Sequence, residues 1–174
     1  MGQNKAMISV KGLPLWQRQY QLLGEAGAGE RRVSLRREDD WAPPEILRVF
    51  DDGSAGPLGG LLAALEICST SHLIVIAVDL PTLPVTWFAT LRKRCRPGRG
   101  AVGWRPDIEA YEPLAAIYPR EFFSIAQQAS RRGQFSLQTL IGEAVETDLL
   151  HEQTVTPEQR SWFTNWNRPE DVVS

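Results

Sequence analysis

The sequence predicts an α/β fold, a three-layer α/β/α sandwich of Rossmann-like architecture with a mainly parallel sheet. Short apolar runs alternate with helical patterns along the chain, as in repeated strand–helix units. The clearest strand, "HLIVIAVD" at residues 72–79, is continuously apolar, which is typical of a strand covered on both faces. We expect a single domain over residues 1–174, because a chain of this length can bury a sufficient core.

In the first half of the chain, short strands alternate with two helices. "MISV" predicts a short strand, and the segment after Pro14 predicts a helix with Leu15, Gln19 and Leu22 at helical spacing. Two further strands are expected in "RRVSLRRE" and "ILRVFDD". The glycine-rich stretch "DDGSAGPLGG" (residues 51–60) then leads into a helix whose leucines share one face.

The second half continues this alternation after the strand at residues 72–79. Turn prolines open the helix in "LPTLPVTWFATLRKRC", and "GAVGW" and "EPLAAIYP" predict two strands. Two helices are expected at about residues 120–131 and 135–144. The tail begins as a polar loop, and Pro169 is expected to open a last helical turn.

The composition excludes several classes of function. The formal net charge is −2, which argues against broad nucleic-acid binding, since binding to phosphates needs a basic surface. The longest apolar runs are too short to span a bilayer, so no membrane association is expected. Cys68 and Cys95 fit neither a disulfide framework nor a zinc site, and we expect reduced thiols in a cytoplasmic protein.

Asp79 is the first candidate for chemistry, because it ends the apolar strand and Pro81 prevents the strand from continuing. At that edge of an open α/β sheet a carboxylate can hold Mg²⁺, whose other positions take water and phosphate oxygens. The alternative is that Asp79 only caps the next turn.

Two other segments are candidate binding sites. The glycines around Gly56 and Pro57 allow close backbone approach to a ligand, and the next helix offers free N–H groups. A tight connection that merely needs glycine is the alternative. In the tail, Asn165 and Asn167 lie two residues apart and would face the same way in an extended segment, unless they cap the helix at Pro169.

Five parts of the chain, in this order, resemble the MobA-like NTP transferases. They are "MGQNKA" followed by "GLPLWQ", then "DDGSAGPLGGLLAAL", "VDLPTLP", "EPLAAIYP" and "FTNWNRPED". Together they span nearly the whole chain. Within the family they are most similar to the branch that transfers GMP to the molybdenum cofactor.

The resemblance implies transfer of GMP from Mg·GTP to the terminal phosphate of molybdopterin, with release of pyrophosphate. Lys5 matches the lysine that contacts the nucleotide phosphates, and Asp52 matches an acid that helps to bind the guanine nucleotide. Asp79 matches the Mg²⁺ ligand, and Asn165 and Asn167 match asparagines near the pterin substrate. The implied partners are GTP, molybdopterin and proteins that deliver or accept the cofactor.

The chain departs from the family pattern in ways that leave two alternatives. The family has a strand and a glycine-rich segment before the matched Met1, so we expect the first strand to be absent from these residues. Asn4 replaces the usual Asp, and Glu112 stands where His or Gln is common, which would place a negative charge near an anionic substrate. The alternatives are CMP transfer to the molybdenum cofactor or another phosphorylated acceptor, and, if Met1 is the true start, a non-catalytic nucleotide-fold binding protein.

Overall fold

The computed structural model of the protein describes residues 4–10, 12–51 and 55–166. Its helices are α1 (Leu15–Glu25), α2 (Pro57–Glu66), α3 (Val85–Arg94), α4 (Phe122–Arg131) and α5 (Leu137–Glu146). Its strands are β1 (Ser9–Val10), β2 (Leu13–Pro14), β3 (Val33–Arg36), β4 (Arg48–Asp51), β5 (His72–Ile76), β6 (Gly100–Arg105), β7 (Ala110–Pro119) and β8 (Leu150–Thr154). Two 3₁₀ helices cover Lys5–Met7 and Pro157–Phe163. Within the described ranges, no helix has the length and apolar character needed to cross a membrane.

The two faces of the central sheet are buried by different sets of helices. On β7, Ala116 and Tyr118 pack with α2, α4 and α5, whereas Ala115 and Ile117 pack with α3 and the C-terminal 3₁₀ helix. Successive residues of a strand point to opposite faces, so this division places one helical layer on each side. The predicted α/β/α sandwich is therefore confirmed.

Most strands of the larger sheet run in one direction. The order is β5-β7-β6-β8, with β7 antiparallel to both of its neighbours and β8 parallel to β6. Consequently β5, β6 and β8 share a direction and β7 alone opposes them. The reversal follows from the short connection at residues 106–109, where Glu109 has a φ of 49°. A four-residue link is long enough for a hairpin and too short for a parallel crossover.

The parallel pair β3–β4 forms a second sheet, separated from β5 by a cleft. Two cavities of about 1020 and 420 Å³ lie there, and Ser34 of β3 and Ile76 of β5 line both. Among the described residues, β3–β4 and β5 belong to separate sheets. All five residues of β5 are only half-buried, although its apolar sequence predicted a strand covered on both faces.

The strand β8 was not predicted, because the sequence Leu-His-Glu-Gln-Thr carries mostly polar side chains. It forms because its backbone pairs with β6 while Leu150 packs into the core. The helical turn expected at Pro169 lies outside the described residues.

The close contact between β6 and β7 yields a test of the fold. A Cβ added to Gly100 would overlap the backbone carbonyl oxygen of Ile117, whereas one added to Gly29 would meet no atom within 4 Å. We expect Gly100→Ala to lower the free energy of unfolding by about 1–3 kcal/mol, because the strands must move apart. Gly29→Ala should change it by less than about 0.5 kcal/mol. Urea unfolding measures both, and equal effects would contradict the β6–β7 packing.

Candidate functional site

Asp79 lies just beyond β5, at the edge of the sheet to which β5, β6 and β8 point. The backbone N–H of Ala77 donates to the Leu114 carbonyl at 2.6 Å, which continues the β5–β7 pairing one residue past the strand. Residues 78 and 79 then enter a turn. The Asp79 side chain is 21% exposed, so its carboxylate can meet a ligand from solvent. Ligands of open α/β sheets bind at this kind of edge.

The N-terminal segment brings a cation to this carboxylate. Lys5 begins a 3₁₀ helix, and the Asn4 side chain caps it by accepting a hydrogen bond from the Ala6 N–H at 3.1 Å. The Lys5 Nζ lies 3.9 Å from Asp79 Oδ2, with 47% of the lysine side chain exposed. An ion pair this exposed contributes only about 0–1 kcal/mol to stability. The fold therefore gains little from these two charges, which lie where they can act on a ligand.

A small apolar cluster holds the three segments of the site together. Ile8, Val10 and Leu15 are buried, and Val78 and Trp166 pack against them. Val78 immediately precedes Asp79, and Trp166 immediately follows Asn165. Burial of this cluster thus places the N-terminal segment, the end of β5 and the C-terminal tail beside one another.

Hydrogen bonds from distant parts of the chain fix the turn after Asp79. The Trp166 N–H donates to the Asp79 carbonyl at 2.9 Å. The buried Gln19 of α1 donates its side-chain amide to the Leu80 carbonyl at 2.6 Å. The Thr82 hydroxyl donates to the Ser161 carbonyl at 2.9 Å. The backbone that carries Asp79 is therefore held by α1 on one side and by the tail on the other.

The tail asparagines are only partly within the structure. Asn165 is exposed and precedes the residue that contacts the Asp79 backbone, so the model brings it to the same edge as Lys5 and Asp79. Asn167 lies outside the described residues.

The glycine-rich loop reaches the cleft at a different place. Gly56 has a φ of 55° and precedes Pro57, the first residue of α2, and both line the larger cavity. Asp51, at the end of β4, accepts a hydrogen bond from the Ser34 hydroxyl at 3.3 Å. Asp52, the acid singled out in the sequence, lies outside the described residues. Lys5 lines the smaller cavity, and Ile76 of β5 borders both cavities.

The Asp79 carboxylate suits a metal ion that is also coordinated by oxygen atoms of a bound ligand. Among the described residues no group of three or more His, Cys, Asp and Glu could hold a metal ion. A lone, partly exposed carboxylate such as Asp79 fits Mg²⁺, which often binds through one or two carboxylates together with phosphate oxygens and water.

Gln19 was not recognised as a site residue from the sequence. A signal was present, because this polar residue recurs with leucines at the apolar spacing of α1. A polar residue on a buried helical face needs a hydrogen-bond partner, and the carbonyl of Leu80 is that partner.

Comparison with known proteins gives a consistent set of similarities. Residues 1–147 match the model of the MobA-like NTP transferase domain. A protein of Opitutus terrae named "probable molybdenum cofactor guanylyltransferase" is 38% identical, and the alignment covers 98% of this chain and 86% of that protein.

Two solved structures have the same fold. Molybdopterin-guanine dinucleotide biosynthesis protein A from Archaeoglobus fulgidus aligns with a TM-score of 0.70 at 18% identity, over 98% of this chain and 88% of that one. The 2-C-methyl-D-erythritol 4-phosphate cytidylyltransferase of Thermus thermophilus aligns with a TM-score of 0.71 at 18% identity, over 97% and 90%. Both likenesses concern the fold alone.

The support that α1 gives to the Asp79 turn can be tested with a matched pair of variants. Gln19→Met removes the amide donor and leaves the buried Leu80 carbonyl unsatisfied, so it should lower the free energy of unfolding by about 1–3 kcal/mol. Gln21→Met, at an exposed position of the same helix, should change it by less than about 0.5 kcal/mol. Chemical unfolding of both variants measures this, and a Gln19→Met variant as stable as the control would contradict the role of Gln19.

Proposed function

Because this chain belongs to the MobA-like NTP transferase family, we propose that it transfers GMP from GTP to molybdopterin and releases pyrophosphate, which yields molybdopterin guanine dinucleotide. The observation that carries the proposal is the 3.9 Å approach of Lys5 Nζ to Asp79 Oδ2 at the carboxyl end of β5. A cation and a carboxylate at this edge of the sheet are the charges that a nucleoside triphosphate and its metal require.

The reaction needs positioning and charge neutralisation more than covalent chemistry. A phosphate oxygen of the acceptor attacks the α-phosphorus of GTP, the bond to the β-phosphate oxygen breaks, and pyrophosphate leaves with that electron pair. In this proposal the Lys5 ammonium lies against the triphosphate and stabilises its developing charge. The hydrogen bonds to the turn after Asp79 hold the backbone that carries the Asp79 carboxylate in a fixed position. This matters because small displacements of reacting groups slow such reactions strongly.

The proposed cofactor is Mg²⁺, held by Asp79. Once bound, Mg²⁺ supplies positive charge to the phosphate oxygens and helps to orient them. The partly exposed carboxylate fits this role, since it leaves most coordination positions to phosphate and water.

The remaining candidate residues divide between the two substrates. Asp52, Gly56 and Pro57 are proposed to bind the nucleotide, where the positive φ of Gly56 and the N-terminal N–H groups of α2 allow close backbone approach. Asn165 and Asn167 are proposed to bind the pterin substrate, because the tail returns to the Asp79 backbone through Trp166.

A turnover assay with Mg²⁺, molybdopterin and either GTP or CTP tests the proposal. We expect GMP transfer to exceed CMP transfer, and Asp79→Asn to lower GMP transfer about 100-fold or more. The control Glu66→Gln removes an exposed charge at the end of α2 and should change turnover less than about twofold.

Three other outcomes would contradict parts of this proposal. Equal or better use of CTP would replace GMP transfer by CMP transfer, and unchanged turnover of Asp79→Asn would remove Asp79 from the site. Binding of Mg·GTP in calorimetry without any transfer would identify a non-catalytic nucleotide-binding protein.

A further inference from the structure

Glu112 places a mostly buried carboxylate at the edge of the sheet. Its side chain is 17% exposed, and its hydrogen-bonding contact among the described residues is the Arg105 Nη1 at 3.4 Å. Gly103 pairs with Glu112 across β6 and β7, and a Cβ on Gly103 would lie only 2.8 Å from the ring of Trp87. The same Cβ would lie 3.4 Å from the Cβ of Glu112, so the Glu112 side chain begins on the face of the sheet that Trp87 covers.

The strand register brings Glu112 to the Asp79 turn. At the carboxyl end of β5, the last backbone hydrogen bond to β7 joins Ala77 and Leu114. Asp79 and Glu112 each lie two residues beyond that bond along their own segments. Both residues therefore leave the β5–β7 ladder at the same edge of the sheet.

Contacts of the C-terminal tail link Arg105 to the turn that carries Asp79. Arg105 also donates to Asp107, at 2.8 Å, and Asp107 lies 3.7 Å from the Arg160 Nε. The next residue, Ser161, accepts the hydrogen bond from Thr82, three residues after Asp79. Glu112 is thus on the side of the site to which the tail carries Asn165.

The carboxylate of Glu112 has unused hydrogen-bonding capacity. An ionised carboxylate accepts about four hydrogen bonds, whereas the contact with Arg105 is a single long one. Burial raises the pKa of Glu112, and the nearby Arg105 guanidinium only partly opposes that rise. A carboxylate that has lost water in this way gains most from N–H donors on a ligand, because charge-assisted hydrogen bonds are the stronger kind.

We propose that Glu112 is a specificity-determining residue whose carboxylate accepts the adjacent ring N–H and 2-amino N–H of an aminopyrimidinone ring. This inference rests on the proposed function, since guanine and pterins both carry that edge. The position beside the tail favours the pterin of the acceptor as the ring that is bound.

Two pairs of compounds isolate the 2-amino group. GTP and ITP differ by that group on the purine, and pterin and pteridin-4(3H)-one differ by it on the pteridine. Calorimetry on the full chain should show that the wild-type protein prefers the aminated member of one pair by about tenfold or more. Glu112→Gln replaces an acceptor by an N–H donor and should abolish that preference. Glu112→Met, which removes all polar atoms from the side-chain end, should abolish it as well.

The control is Glu143→Gln, at an exposed position on α5, which should keep the wild-type preference. If Glu112→Gln loses the preference within the pterin pair, the ring that Glu112 binds is the pterin of the acceptor. If it loses the preference for GTP over ITP, the ring is the guanine of the nucleotide. A folded Glu112→Gln that keeps the wild-type preference in both pairs overturns the inference, as does a wild-type protein with no preference in either. These binding readouts need no turnover, so failure of GMP transfer alone overturns the proposed function and leaves the inference standing.

Discussion

The site depends on how the turn after β5 is held. Asp79 and Leu80 offer backbone carbonyls to donors from opposite ends of the chain, the Trp166 N–H and the Gln19 amide. These are neutral hydrogen bonds to partly or fully buried groups, and leaving such a carbonyl without a donor costs more than forming the bond gains. The turn therefore cannot shift without breaking contacts to α1 and to the tail. Asp79 keeps its position although its own ion pair with Lys5 is partly exposed.

This arrangement separates the part of the molecule that gives stability from the part that meets ligands. The apolar cluster of Ile8, Val10 and Leu15 packs beneath the site and brings three segments together. The charges of Lys5 and Asp79 lie above it, where solvent and ligands can reach them. Glu112 extends the same edge toward the tail, with a side chain that is 17% exposed against 21% for Asp79.

The sequence predicted those features that a single strong pattern determines. The apolar run at residues 72–79 predicted β5 and placed Asp79 at its end, and the glycine-rich stretch at residues 51–60 predicted the helix that follows it, α2. The strand β8 escaped prediction because its stability comes from backbone pairing with β6 and from Leu150 rather than from an apolar pattern. The contacts of Gln19 and Trp166 escaped it because they join residues more than sixty positions apart along the chain. The roles of Asp52 and Asn167 remain predictions, since both lie outside the described residues.

The most direct test of the account is a crystal structure of the protein soaked with GTP and Mn²⁺, with the metal located by its anomalous scattering. We expect a peak about 2.0–2.6 Å from an Asp79 carboxylate oxygen, with the triphosphate between the metal and the Lys5 ammonium. A bound nucleotide whose metal lies away from Asp79, for example beside Asp51, would contradict the assignment of the carboxyl end of β5 as the phosphate site.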